Sequence, residues 1–454
     1  MPSRLSLLTS RMDALYEYDR EPVAPQQLKT GWQFASLFAG EHVAGTEFVI
    51  GAFFVLHGVN ATDLIAGLLA GNLLAVLSWT FICAPIAVDT RLTLYWYLRR
   101  IAGPGLTAIY NVANAVLYCI LAGAMIAVSA TAIGLPLGVR TPALTDVYPS
   151  SFGWVLLTFA TGAAFVTLAI LGFEGLSRFA RVCAPWVLVI FVVGAIAMLP
   201  RLGVHANLDN LWETSRTKIW NGVASPGQDK FSIWHVVFFA WFCNLAMHVG
   251  LSDMALFRYA KHRAYGLYSA FGMYPGHTLA WLCSGIMVAG VDRQMDPGMM
   301  AAEAAGAAGP VAVVLAGWTT ANPTLYRAGL ALQCVTPNWP RWRATVVAGL
   351  VTTLLSCFPV IVMRLLDYVA IYGLVLMPVG AIVVAEHWLF PLLGIPRHMT
   401  GATGRMINGR AALVWAGTLA VCSVLPLHLF FRWLPGYILA LVSYTLLHLR
   451  WRRE

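Results

Sequence analysis

The sequence predicts an all-α integral membrane protein of twelve transmembrane helices, built as two inverted five-helix repeats with helices one and six broken. Three observations carry that prediction. Apolar stretches of about 20 residues, the length that crosses a hydrocarbon core, recur along the whole chain. Lysine and arginine are distributed unevenly between alternate connecting loops. Polar clusters interrupt the first and sixth stretches, five spans apart, as an inverted repeat of five requires.

Of 454 residues, 59% are hydrophobic and only 11% charged, and the mean hydropathy is +0.72. Such a chain cannot cover itself with an ordinary aqueous surface. The aromatic share of 12%, with 17 Trp, 16 Tyr and 22 Phe, suits a protein that places amphipathic rings at two membrane interfaces. All eight cysteines (Cys83, Cys119, Cys183, Cys243, Cys283, Cys334, Cys357, Cys422) fall singly in apolar stretches without metal or redox spacing, and read as small buried hydrophobes. The first 30 residues are polar and lack a cleavable signal pattern, so the first span is expected to act as the insertion signal.

The expected spans are 31 to 56, 62 to 86, 105 to 134, 152 to 174, 180 to 200, 232 to 258, 265 to 291, 310 to 334, 344 to 363, 366 to 389, 411 to 428 and 432 to 449. They divide the chain into a cytoplasmic segment 1–30, a first repeat 31–200, an extracellular loop 201–231, a second repeat 232–389, a cytoplasmic loop 390–410, appended helices eleven and twelve over 411–449, and a cytoplasmic tail 450–454. The N-terminus, even-numbered loops and tail hold 20 Lys and Arg, the odd-numbered loops eight, and Arg327 lies inside span eight. Both termini are therefore expected in the cytoplasm of a multi-pass cell-membrane protein. The net charge of +9 is then a product of topology and implies no nucleic-acid partner. Loop 201–231, with Trp212 and Trp220, is expected to hold a short interfacial helix.

Span one reads FASLFAGEHVAGTEFVIGAFF and places Gly40, Glu41, His42, Gly45, Thr46 and Glu47 near its middle. Span six, FFAWFCNLAMHVGLSDMALF, places Asn244, His248, Gly250, Ser252 and Asp253 correspondingly. Gly45 and Gly250 are expected to free the backbone for the breaks, or else to permit close helix packing. Asn111, Asn114 and Tyr118 share one face of span three, facing a ligand or gluing helices together. Thr319 and Thr320 offer adjacent hydroxyls on span eight, followed by Asn322; they suit a hard cation or bond back to their own helix. Glu41 and Glu47 are six residues apart, about 600° around an unbroken helix, so only a break turns both toward one cavity. There they would carry protons, pair with an amine-bearing substrate, or bond to neighbouring helices. Pro185, Pro275, Pro359 and Pro378 are bend points, hinged or static.

These residues give the chain a family resemblance. It resembles the nucleobase:cation symporters of the purine/cytosine and hydantoin permease type, within the amino acid-polyamine-organocation superfamily, over roughly residues 28 to 390. The likeness rests on AGWTTANPTLYRAGLALQ at 316 to 333, FVIG at 48 to 51, and PIAVDTRLTLYWYLRRIAGPG at 85 to 105. It implies a leucine-transporter-like fold and a sodium site formed by carbonyls of Gly40, Val43 and Ala316 with the hydroxyls of Thr319 and Thr320. It also implies a bundle of spans one, two, six and seven rocking against a scaffold of three, four, eight and nine. The substrate would lie among Glu41, His42, Asn114, Tyr118, Trp241, Asn244, His248 and Asn322. Three features depart from the family pattern. Leu117 and Tyr118 stand where a Trp is expected on span three, and Asn322 is displaced by one position. On span six, Asn244 stands where the second Trp is expected, with Trp241 one turn earlier.

The expected function is cation-coupled, sodium-driven symport of a nucleobase or related nitrogen heterocycle, with sodium or a proton as coupling ion and no cofactor. The alternative is proton- or sodium-coupled transport of an amine, an amino acid or a metal cation on the same fold. No metal site beyond sodium is expected, and the partners are a small-molecule substrate and membrane lipids, with the oligomeric state open. An enzyme is disfavoured, because the Glu-His pairs at 41 and 386 lack the second ligand spacing of a metallohydrolase.

Overall fold

The computed structural model describes Met12 and residues 15 to 45, 47 to 143, 146 to 291 and 297 to 449. Thr46 and the tail 450–454 lie outside the described residues. Among those described, the chain is all-helical; its β-type pairings are isolated bridges, Lys29 with Ala260 and Asn60 with Asn221.

Among the described residues, six helices are long and apolar enough to cross a membrane: Ala61–Thr90, Leu94–Gly134, Phe152–Ile170, Gly172–Leu202, Tyr368–Leu393 and Leu429–Leu449. They correspond to spans two, three, four, five, ten and twelve and make a multi-pass membrane protein. The full count of twelve is not reached by this measure, for identifiable reasons. Spans one and six are broken, and span seven opens with a π-helical turn at Gly272–Thr278 before Leu279–Val291. Span eight, Ala308–Val335, is long but carries Thr319, Thr320, Asn322 and Arg327, and spans nine and eleven are shorter, at Arg341–Ser356 and Gly409–Val424.

The break in span one separates Gly31–Glu41 from Glu47–Leu56. Span six runs from Ile233 to Phe242, makes one turn at Leu245–His248, and resumes at Met254–Phe257. Neither Gly45 nor Gly250 adopts positive φ; the left-handed residue in span six is Leu251, at φ 66°. A Cβ at Gly250 would stand 2.7 Å from the carbonyl oxygen of Ala246, four residues earlier in the same span, so the tight turn of the break leaves no room for a side chain there.

Helices one, two, six and seven pack mainly on one another, as do three, four, eight and nine, with span five against spans one, seven and eight. Spans three and eight run along each other at the centre of the second group. Spans eleven and twelve pack against span ten. The helix of span three starts at Leu94, before the expected limit, and kinks at Gly103 (φ 82°) and Pro104. The loop before span eleven docks in that kink, with the Gly105 amide donating to the Met406 carbonyl at 2.8 Å. In loop 201–231 a short helix at Leu211–Thr214 continues as a π turn, Ser215–Ile219. Trp212 is half exposed there, whereas Trp220 is buried in the bundle.

Candidate functional site

The first half of span one starts at a capping box between Thr30 and Gln33. It lies directly on span five: a Cβ at Gly40 would stand 2.6 Å from the Ala180 Cβ. Where the helix stops, its last carbonyls lose their intrahelical partners. Thr320 supplies one, its hydroxyl donating to the Glu41 carbonyl at 2.9 Å and to its own Ala316 carbonyl at 3.1 Å. Thr319 bonds back along span eight to Leu315 and Ala316, at 3.0 and 3.1 Å, and the Gly40 backbone lies over its side chain. Val43 and Ala316 are packed in one buried cluster beside this junction. The five residues expected to hold a cation are thus brought to the meeting of spans one and eight, with oxygen donors a hard cation accepts.

About two turns further along span eight the chemistry changes sign. Thr320, Thr324 and Arg327 fall on one helical face by their four- and three-residue spacing. Arg327 is fully buried and grips the Glu41 carboxylate with both terminal nitrogens, at 2.5 and 3.0 Å. Its Nη2 also donates to Asp253 Oδ1 from span six. The second Asp253 oxygen accepts the Trp79 indole N–H of span two at 2.6 Å. A planar guanidinium with five donors matches two carboxylates in this way, and so ties both broken helices to the scaffold.

On the other side of the span-one break the surroundings differ. The Glu47 carboxylate accepts the Trp281 indole N–H and lies 3.8 Å from His277 Nε2. Ser284 fixes the Glu47 backbone carbonyl at 2.8 Å. The His277 ring stacks on Trp281 at 4.4 Å and meets the His42 ring edge-on at 5.0 Å.

Between these two clusters lies a small cavity of about 60 Å³. Glu41, His42, Glu47, Cys243, Asn244, Met247, His277, Thr320 and Tyr372 are among its walls. Glu41, His42 and Asn244 of the expected substrate residues therefore reach it. His42 binds the Phe38 carbonyl through Nδ1 at 2.8 Å, leaving Nε2 without a partner, and Asn244 Nδ2 is also unsatisfied. Tyr118 lies behind the wall, its ring 5.1 Å from that of Tyr372. Asn114 and Asn322 are fully buried with both amide ends unpartnered.

Two expected substrate residues are placed elsewhere. Trp241 turns away from the cavity, donating to Ser78 Oγ at 2.9 Å and packing edge-on against Trp433 of span twelve at 4.6 Å. His248 binds the Trp241 carbonyl at 2.9 Å and packs against Trp79. Both close the unwound turn of span six. Of the alternatives open for Glu41, the structure shows a bond to a neighbouring helix, both its oxygens being held by Arg327. Sequence reasoning gave no role to Arg327, Trp79, His277 or Trp281. The one usable signal was Arg327 itself, since an arginine inside an apolar span must find a carboxylate within the bundle.

No family model and no curated protein sequence matches this chain. Solved structures do. Mhp1, described as a nucleobase-cation-symport-1 family transporter, in a closed conformation with bromovinylhydantoin bound, matches with a TM-score of 0.74 at 17% identity, over 96% of each chain. The chain has a transporter fold. The inward-facing conformation of Mhp1 gives a TM-score of 0.70 at 17% identity, over 96% of this chain and 95% of that one. A substrate-bound, outward-open Na+-coupled sialic acid symporter gives 0.67 at 10% identity, over 97% and 96%.

Proposed function

We propose that this protein is a secondary active transporter that couples the entry of a cation, sodium, to uptake of a nucleobase or related small nitrogen heterocycle. The observation that carries the reading is the junction of spans one and eight. A helix end with exposed carbonyls meets a hydroxyl pair, and it does so beside a small cavity that receives polar side chains from both broken helices. The similarity to solved cation symporters supports it.

Sodium at Gly40, Val43, Ala316, Thr319 and Thr320 would draw span one onto span eight, as the Thr320 hydroxyl does by its bond to the Glu41 carbonyl. Substrate would then meet the unsatisfied amide of Asn244 and the free Nε2 of His42. The bundle of spans one, two, six and seven would rock against the scaffold, with both termini cytoplasmic. The ligand is moved and not chemically altered.

A second reading, transport of an amine, an amino acid or a metal cation, is favoured by one observation: the cavity carries no indole sandwich, because Trp241 faces Trp433. Thermal unfolding of the purified protein against nucleobases, other heterocycles, amines and divalent metals, in sodium and in choline, decides between them. A heterocycle whose stabilisation grows with sodium supports the first reading. Stabilisation by amines or metals, without sodium, supports the second.

A further inference from the structure

We propose that Glu47 and His277 form a proton-binding site, separate from the sodium site, so that each cycle of the symport proposed above also carries a proton. The inference rests on that symport reading for its direction and on the following geometry for its location.

Three carboxylates, Glu41, Glu47 and Asp253, are buried at the two helix breaks, and one guanidinium, Arg327, is buried with them. Arg327 is consumed by Glu41 and Asp253. With all three carboxylates ionised, two negative charges would remain uncompensated in the centre, and a sodium ion beside Thr319 and Thr320 would offset one of them. The other sits where no fixed cation is available. Among the described residues, the ion-pair partner of Glu47 is His277, at 3.8 Å, and Glu47 is 3% exposed. A carboxylate so placed is costly in a membrane unless a cation or proton joins it.

The surroundings of Glu47 are polar but uncharged apart from the titratable groups of the cavity. Span seven presents His277, Trp281 and Ser284, and span six presents Cys243 and Asn244. Span eight presents Thr320 and Thr324, span ten presents Tyr372, and span one itself presents His42 and Glu41 across the cavity. His277 has one nitrogen toward Glu47 and its Nδ1 unpartnered, so the pair can accept one proton on either Glu47 Oε1 or His277 Nε2 without breaking another hydrogen bond.

The pair also sits where transport would move it. Ser284 bonds the Glu47 carbonyl, and a Cβ at Gly51 would stand 2.5 Å from the Trp281 carbonyl oxygen, so the second half of span one and span seven move as one body. The proton site would thus keep its geometry while its exposure alternates between the two sides.

Two measurements test the proposal. In proteoliposomes with sodium, uptake of the heterocycle found by thermal shift should alkalinise the outer medium in the wild type. Uptake without proton movement overturns the proton site and leaves the symport reading intact. If no heterocycle is accumulated, the symport reading fails, and the second measurement still decides the site. Infrared difference spectra of the ligand-free protein, acid minus alkaline, should show a titrating carboxyl band that Glu47→Gln removes and His277→Gln moves by about one pH unit or more. A spectrum unchanged by Glu47→Gln overturns the proposal. Should Glu47→Gln not fold, the absence of any titrating carboxyl band sensitive to His277→Gln overturns it instead.

Discussion

Glu41 and Glu47 flank the same helix break, are equally buried, and meet opposite fates. Glu41 is gripped at 2.5 and 3.0 Å by Arg327, which also reaches Asp253. Glu47 has an indole N–H and, 3.8 Å away, a histidine. Burial therefore does not decide what an intramembrane carboxylate does; the presence of a fixed cation within reach does. The first group is a fastening between both broken helices and span eight, and the second is open to an exchangeable positive charge.

The largest effect is expected at the fastening. Arg327→Met leaves two carboxylates buried without their cation, and should cost about 3–5 kcal/mol of stability in detergent, read by thermal or denaturant unfolding. The same change combined with Glu41→Gln and Asp253→Asn should recover part of that loss, because a neutral cluster no longer buries unpaired charge. If the single variant unfolds like the wild type, the guanidinium is not a structural tie.

Next come Glu41→Gln and Asp253→Asn alone, each expected to cost about 1–3 kcal/mol. A double-mutant cycle of either with Arg327 should show a coupling of about 0.5–3 kcal/mol. An additive cycle would mean that the two sides of the bundle are not linked through this residue. At Glu47 the same change to Gln should cost less than about 1 kcal/mol at neutral pH, since no fixed ion pair is lost. A loss as large as that of Glu41→Gln would erase the contrast between the two carboxylates.

Thr320→Ala removes the hydroxyl that holds the end of span one, at a cost of about 1 kcal/mol. Combined with Thr319→Ala it should abolish stabilisation by sodium while heterocycle-free stability in choline changes little beyond that cost. Retained sodium dependence in the double variant would move the cation elsewhere. The smallest effect belongs to Trp241→Phe, which loses the bond to Ser78 and should cost about 0.5–1 kcal/mol without altering ligand affinity. Weakened ligand binding would return Trp241 to the cavity wall.

Much of the architecture was legible in the residues. Apolar length gave the spans, and the polar clusters at Glu41–Glu47 and Asn244–Asp253 marked the two breaks, because unpaired polar groups are too costly in lipid to be casual. The helix of span three, kinked at Gly103, shows why boundaries were less legible: a loop docking from 300 residues away decides whether the preceding segment joins the helix. The left-handed residue at Leu251, with glycine beside it, shows the same limit at a break.

The sequence by itself determined that this chain inhabits a membrane, that helices one and six are interrupted, and that hydroxyls, carboxylates and histidines stand at the interruptions. Those are consequences of composition and of spacing along single helices. Only the tertiary structure decided which charge meets which. Arg327 lies 286 residues from Glu41 and 74 from Asp253, Trp241 turns toward span twelve, and Glu47 is left to a histidine. The physical reason is that a helix's period fixes the face on which a side chain stands, whereas its partner is fixed by how the helices pack, and buried charge is stabilised or left open by that partner alone.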